Sequence, residues 1–478
     1  MQDIVIIGCG VIGAACAYEL AKYNLAVTIL EASSDVANGT TKANSAIIHA
    51  GYDPIPGTGM AKLNVEGNAM MDALCRRLDI PFKRVGSHVL AFTEEELITL
   101  RTLYERGTAN GVPELRLLTA EETKAMEPSV SEEVKGSLFA PTAGIISPWE
   151  LTLAMAEVAV RNGVTLKLNT PVTAIERRDG HFTVITPKER IDCRLILNAA
   201  GIHAGEIMSM AGDTPCETVF SRGEYYLLDK SEGDRVSSVI FQCPNRDGKG
   251  VLVAPTVHGN LIVGPNAESI DSPDTANTSR GLNFTRTQAM KSVPSLSIRD
   301  NIRNFAGIRA NHSGEDFLIG ESAKVPGLFN LAGIKSPGLT ASPAIAKLAA
   351  EWVGKRLSLT EKQDFTDGRK VIRFKHLTAA EKQTVIAENP LYGRVICRCE
   401  TVTEGEILAA LRSPIPPTTI NGVKRRVGAG MGRCQGGFCG PRVQEILSRE
   451  LGIPMEEINL DEDGSYILTG RTKGEQIK

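Results

Sequence analysis

Short apolar runs and apolar-periodic stretches alternate along the chain. Asp3–Ile7 is a β-rich apolar run, three glycines and the helical pattern Ala14–Lys22 follow, and a second apolar run, Ala26–Leu30, ends on Glu31. That order predicts a βαβ start. Glu94–Glu127 is charged and helical in pattern, and Glu150–Asn162 reads as an amphipathic helix stopped by Gly163. Strands are expected at Thr165–Leu168, Phe182–Ile185, Leu195–Ala199 and Leu328–Gly333, the last followed by a helix over Ser342–Leu357. Residues 216–264 alternate apolar and polar positions, the signature of an antiparallel sheet. Strands of one kind are thus interrupted by segments of another, which predicts two interleaved domains. One is a dinucleotide-binding α/β domain made of residues 1–80, 145–215 and 305–357. The other is an antiparallel-sheet cap over the substrate, made of residues 81–144 and 216–304. The polar stretch 358–393, with a capping box at Thr378–Glu381, is expected to be a linker. A small helical domain over 394–460 and a tail over 461–478 complete the chain.

Composition adds a few exclusions. In 478 residues, 42% are hydrophobic and 23% charged, and the net charge is −3, so there is no basic footprint for nucleic acid. Neither a signal peptide nor an apolar run of about 20 residues is present, so the expectation is a cytoplasmic protein, with peripheral membrane docking through a partner left open. Six of the ten cysteines are scattered and read as buried hydrophobes. The other four, Cys397, Cys399, Cys434 and Cys439, cluster near the C-terminus, which in a reducing compartment argues for a metal site.

Gly8, Gly10 and Gly13 fit G-x-G-x-x-G between the first strand and the first helix. The first permits the tight turn, the second lets backbone approach a pyrophosphate, and the third lets helix and strand pack closely. Glu31, at the end of the second strand, stands where a carboxylate accepts ribose hydroxyls. The motif does not separate FAD from NAD.

Several segments in order carry a resemblance: Thr41–Ser45 with Ala46–Gly51, Pro171–Val172, Asn198–Gly201, Arg222–Tyr226, Gly307–Ala310 and Ala332–Gly338. Over roughly residues 1–355 the chain resembles the D-amino-acid-oxidase-like flavoproteins, in the branch of glycerol-3-phosphate and L-2-hydroxyglutarate dehydrogenases. The resemblance implies non-covalent FAD. It places the cofactor against the glycine turn with Val11 and Ile12, against Glu31 and Ala32, and along Thr40, Thr41, Asn44, Ser45 and His49. It also implies an adenine contact at Val172 and loops closing at Ala200, Gly201, Gly333, Lys335, Gly338, Leu339 and Thr340.

Oxidising an alcohol with a flavin requires a base for the hydroxyl proton and a cation for an anionic substrate. His49 lies in the segment that resembles the flavin-facing one, where it could be the base or simply orient the ring. His258 is a second candidate at an expected cap turn, and His203 could help shape the pocket. Arg309, in Gly307–Ala310, resembles the family arginine that grips the anionic end. Lys335 is a further cation, and Arg222 is either that or a structural partner of an acid such as Glu224. His49–Gly57 and Arg222–Tyr226 look more like the L-2-hydroxyglutarate branch.

Cys397-x-Cys399 and Cys434-x₄-Cys439 supply the four thiolates a [2Fe–2S] cluster requires, with a structural Cys₄ zinc knot as the rival reading. Pro441 is set to start a helix, and Thr403–Glu406 to cap another. Residues 394–455 resemble the bacterioferritin-associated-ferredoxin-like domain.

The expectation is an FAD-dependent dehydrogenase of a small anionic 2-hydroxy compound that passes electrons through the cluster to an acceptor protein. The cluster domain favours glycerol 3-phosphate. The alternatives are L-2-hydroxyglutarate or another 2-hydroxy acid, an amino acid or amine, and, in a different class, a non-catalytic electron-transfer or assembly subunit.

Overall fold

A computed structural model describes residues 1–178, 180–244 and 250–470. At the centre of the first sheet, the strands Thr165–Lys167, Val27–Leu30, Gln2–Ile7, Arg190–Asn198 and Leu328–Ala332 run parallel in that spatial order. The helix Val11–Leu20 follows the first strand and is apolar almost all round, with no polar face to give to water. It packs between helices Pro148–Arg161 and Gly338–Arg356, which explains that composition.

The second sheet joins the strands Ser87–Ala91, Arg116–Thr119 and Gly136–Ala140 to a larger antiparallel set that begins with Thr218–Leu228. The strand Asn301–His312 pairs along the whole of Thr218–Leu228 and so lies in this second sheet. That moves the expected boundary at 305: Arg309 stands on the cap, not on the nucleotide domain. The stretch read as helical from Glu94 to Glu127 is helix only over Glu94–Ala109 and Ala120–Met126, with the strand Arg116–Thr119 between them. The charged pattern concealed a strand at the sheet's edge.

The expected linker is a strap held along its length. Tyr18 and Arg77 bind Asp367 at 2.6 and 2.7 Å, Arg369 binds Glu157 at 2.6 Å, and Phe374 is buried. The Phe374 amide donates to Glu406, which closes the capping box of the next domain's first helix. That domain has helices Glu404–Leu411, Ile420–Val427 and Gly440–Leu451 around its own apolar core. Among the described residues no helix is long and apolar enough to cross a membrane.

Glu150 ties three parts of the chain together. Its carboxylate accepts from Arg373 of the strap at 3.0 Å and faces His258 of a cap turn at 3.1 Å, while Arg373 also reaches Asp79 at 3.0 Å. Burial alone would raise this carboxyl, but His258 and Arg373 more than reverse that and lower it from 4.5 to about 2. A carboxyl with a depressed folded pKa contributes stability that is present above its unfolded pKa and lost as pH falls through its folded one. Stability from this node is therefore expected to fade between about pH 4.5 and about pH 2. Glu150→Gln should destabilise the protein at neutral pH by on the order of 3 kcal/mol and flatten that limb of the curve. Melting temperatures of both proteins across acid pH check it; parallel curves would remove Glu150 from the acid response.

Candidate active site

A cavity of about 940 Å³ opens between the two sheets. It is at the upper end of the roughly 300–1,000 Å³ range of ligand sites, which calls for a large ligand. One end is built by the glycine turn. Gly8 has φ +97°, and a side chain there would strike the Ala199 carbonyl at 2.5 Å. A side chain on Gly13 would stand 1.9 Å from the Gly8 carbonyl, so the helix can follow the strand this closely only with glycine. Gly10 has an ordinary φ of −70°, and a Cβ there would meet only the Thr41 hydroxyl, at 3.4 Å. Its missing side chain leaves open cavity at the helix N-terminus, which carries no side-chain cap and no acid in its first turn. That terminus suits a pyrophosphate.

Glu31 lines the same end and accepts the Cys9 and Ser33 amides at 2.7 and 2.9 Å. Burial raises its carboxyl, and those two N–H groups oppose the rise. Val11, Ile12, Ala32, Thr40, Thr41, Val172, Ala200 and Gly201 also face this cavity. The glycine turn, the uncapped helix end and the acid fit a dinucleotide such as FAD.

Towards the other end lie Asn44, Ser45, His49, Lys335, Gly338 and Leu339. The His49 amide donates to Thr340 Oγ1 at 2.9 Å, its Nε2 is 3.1 Å from Ser336 Oγ, and its ring stacks on Phe241 at 5.9 Å. The imidazole is thus held on both faces of its attachment. Arg309 lines this end too, binding Ser221 Oγ and the Asn266 carbonyl at 2.9 Å each. Among the described residues it pairs with no carboxylate.

Four expected residues stand off the cavity wall. Gly13 packs behind the turn, Gly333 lies at φ +61° against His312, and Thr340 is buried beneath His49. His258 is held by Glu150 and is absent from the lining, a correction with a plain cause: its carboxylate partner belongs to the nucleotide domain's helix Pro148–Arg161. Arg222 is buried and bound by Glu268 and Asp274 at 2.8 and 3.0 Å; its partners are not Glu224. His203 lines the cavity and pairs with Glu206 at 3.0 Å.

The sequence reading missed Tyr225 and Ser221, which share one face of the strand Thr218–Leu228 with Gly223. The Tyr225 hydroxyl is 3.4 Å from Ser45 Oγ, and its ring stacks on Phe305 at 4.7 Å. Burial pushes this phenol up, against the nearby Arg309 charge. A Cβ on Gly223 would meet Arg309 Nη2 at 2.8 Å, so that glycine makes room for the guanidinium. Period-two spacing from Gly223 was the available signal.

The four clustered cysteines form two pairs. Cys397 and Cys439 are each 1% exposed and share a hydrogen bond that holds the Cys397 thiol well below its ordinary value. Cys399 and Cys434 are exposed, with sulfurs 3.7 Å apart. Two pairs suit two irons, each taking two thiolates, and Gly430 and Gly436 with positive φ let the loop wrap them.

Two family descriptions match the chain: FAD dependent oxidoreductase (DAO) over residues 3–352, and BFD-like [2Fe-2S] binding domain over residues 395–449. The chain is 51% identical to the glycerol 3-phosphate dehydrogenase of Caloramator mitchellensis, covering 99% of this chain and 100% of that one. It is 29% identical to the mitochondrial L-2-hydroxyglutarate dehydrogenase of Homo sapiens, over 75% of this chain and 89% of that one. Among solved structures, dithionite-reduced L-alpha-glycerophosphate oxidase from Mycoplasma pneumoniae with FAD bound has a TM-score of 0.74 at 33% identity, covering 78% of this chain and 98% of that one.

Anaerobically purified protein is expected to hold iron and inorganic sulfide in equal amounts, with negligible zinc. Cys434→Ser should abolish the paramagnetic signal of the reduced cluster while FAD released on denaturation stays at its normal level. Metal analysis and electron paramagnetic resonance check this; one zinc per chain would make the tail structural.

Proposed function

The chain belongs to the FAD-dependent oxidoreductase family described as DAO and ends in a BFD-like [2Fe–2S]-binding domain, and from that premise we propose that it oxidises glycerol 3-phosphate to dihydroxyacetone phosphate and delivers the electrons to an acceptor protein. The observation that carries this reading is Arg309, a cation without a carboxylate partner among the described residues, on the wall of the cavity that also holds His49. When bound, FAD takes the hydride from carbon, and the [2Fe–2S] cluster passes the two electrons on singly. Arg309 grips the phosphate, with Lys335 as a second cation near the same end. That grip turns the secondary alcohol towards His49, whose Nε2, oriented by Ser336, takes the hydroxyl proton. Tyr225 and Phe305 close the wall behind and keep water from competing for the charge.

The glycerol 3-phosphate dehydrogenase relative is matched over the cluster domain as well, whereas the glycerophosphate oxidase structure and the L-2-hydroxyglutarate dehydrogenase each leave over a fifth of this chain unmatched. That difference supports an exit for electrons through the cluster. The outlet is the exposed Cys399–Cys434 edge, beside Phe438, 56% exposed, with Arg398 over its ring. Ten cysteines without a disulfide fit the reducing cytoplasm, with any membrane contact made through the acceptor.

A second reading, oxidation of L-2-hydroxyglutarate, is favoured by the His49–Gly57 stretch and by the human relative. Arg309 would then hold a carboxylate. Anaerobic bleaching of the flavin by a panel of glycerol 3-phosphate, 2-hydroxy acids and amino acids decides between them; bleaching by none would leave a non-catalytic carrier.

Arg309→Ala should lower kcat/KM for glycerol 3-phosphate at least about thirtyfold, mostly through KM, since losing one partner of such a contact costs on the order of 2–5 kcal/mol. FAD content should be unchanged. Steady-state kinetics with a dye acceptor check this; unaltered kinetics would take Arg309 out of the site, and lost flavin would make it structural.

A further inference from the structure

The segment from Glu31 to Ser45 has two working faces. On one, Glu31, Thr41 and Ser45 line the cofactor cavity. On the other, Asp35, which is absent from that lining, takes both guanidiniums of the cluster domain's helix Ile420–Val427. Arg426 reaches its two oxygens at 2.8 and 3.0 Å, and Arg425 comes within 3.2 Å. All three side chains are buried. Burial would raise the Asp35 carboxyl, but Arg426 and Arg425 hold it below its ordinary value. Around this node Arg425 also binds Asn38 at 3.3 Å and Asp461 at 3.0 Å. Lys42 binds Asp461 at 3.3 Å, and the Ser34 amide donates to Glu462 at 3.3 Å.

We infer that Asp35, through Arg425 and Arg426, is a positioning residue for electron transfer: it fixes the cluster domain on the rear of the segment that cradles FAD. A buried carboxylate shared by two arginines is a demanding contact. Each partner is desolvated, and removing one leaves charge without compensation. Such a contact holds a domain in one register, unlike the exposed pairs on most domain surfaces. Electron transfer between two centres depends steeply on their separation, so a fixed register has a kinetic consequence.

This rests on the reading that electrons leave the flavin through the cluster. The test is anaerobic stopped flow on the holoenzyme, following flavin bleaching by glycerol 3-phosphate, or by whichever panel member replaces it, together with cluster reduction by freeze-quench paramagnetic resonance. Asp35→Asn and Arg425→Gln are compared with wild type; Arg425 makes its side-chain contacts to Asp35, Asn38 and Asp461, so the second variant spares the cluster domain's own core. In both, bleaching should stay within twofold of wild type, iron content should be normal, and cluster reduction should slow at least tenfold. Limited proteolysis should cut the strap faster in both. Cluster reduction keeping pace with bleaching in both variants would overturn the inference. So would loss of FAD in Asp35→Asn with Arg425→Gln indistinguishable from wild type, since Asp35 would then serve the cradle alone. A wild-type cluster that stays oxidised while its flavin bleaches would remove the electron exit itself, and the latch's role with it.

Discussion

The Gly8 carbonyl occupies the space a side chain at residue 13 would need. Everything at the cofactor end of the molecule follows from that closeness. It lets the helix Val11–Leu20 start directly behind the strand Gln2–Ile7 and lie buried between two further helices. The first amides of any helix have no partner within the helix, and here they face the cavity. One is taken by Thr41, at 3.1 Å, and the absence of a cap leaves the rest to a ligand. The same constraint orients the second strand, and Glu31, the residue that follows it, is then held by the Cys9 amide of the turn itself. Turn, helix end and acid act as one rigid unit.

The substrate end is built on a different principle. Here the backbone is a long antiparallel pair, and side chains are chosen by alternation. Arg309 stands opposite Ser221, with Gly223 leaving room for its guanidinium. The arginine is anchored by a hydroxyl and a carbonyl, neutral groups that orient the charge without cancelling it. In the neighbouring position Arg222, facing the other way, is cancelled by two acids. Arg222 and Arg309, on two adjacent strands, thus differ in whether acids neutralise them and in which side of the sheet they occupy.

That distinction marks where sequence reading ended. The glycine turn, the acid after the second strand, the helix caps at Thr378 and Thr403, the first-turn Pro441 and the four clustered cysteines are local signals, and each could be read from spacing alone. Arg309 was legible through resemblance to a family segment, but not its membership of the cap sheet, because strand pairing between residues 218–228 and 301–312 leaves no local trace. His258 was misjudged for the same reason. Its partner, Glu150, is more than a hundred residues away, and an isolated histidine on a turn gives no hint of a buried carboxylate above it. Nothing in the local sequence marks Asp35, since its two arginines come from the far end of the chain. The strap read as a linker because its grip consists of single, widely spaced ion pairs and not of an apolar stripe.

The strand Asn301–His312 touches both ends of the molecule's business. Arg303 contacts Gln435 of the cysteine loop at 3.2 Å, and Arg309, on the same face, lines the substrate cavity. Six residue steps of extended chain separate them, roughly 20 Å at the usual rise. The span between Arg309 and the cysteine loop is therefore set largely by backbone. A one-residue insertion between them would turn one arginine to the opposite face. The strand is in effect a gauge block: side chains can change the chemistry at either end, but only a change in its length can alter the distance between them.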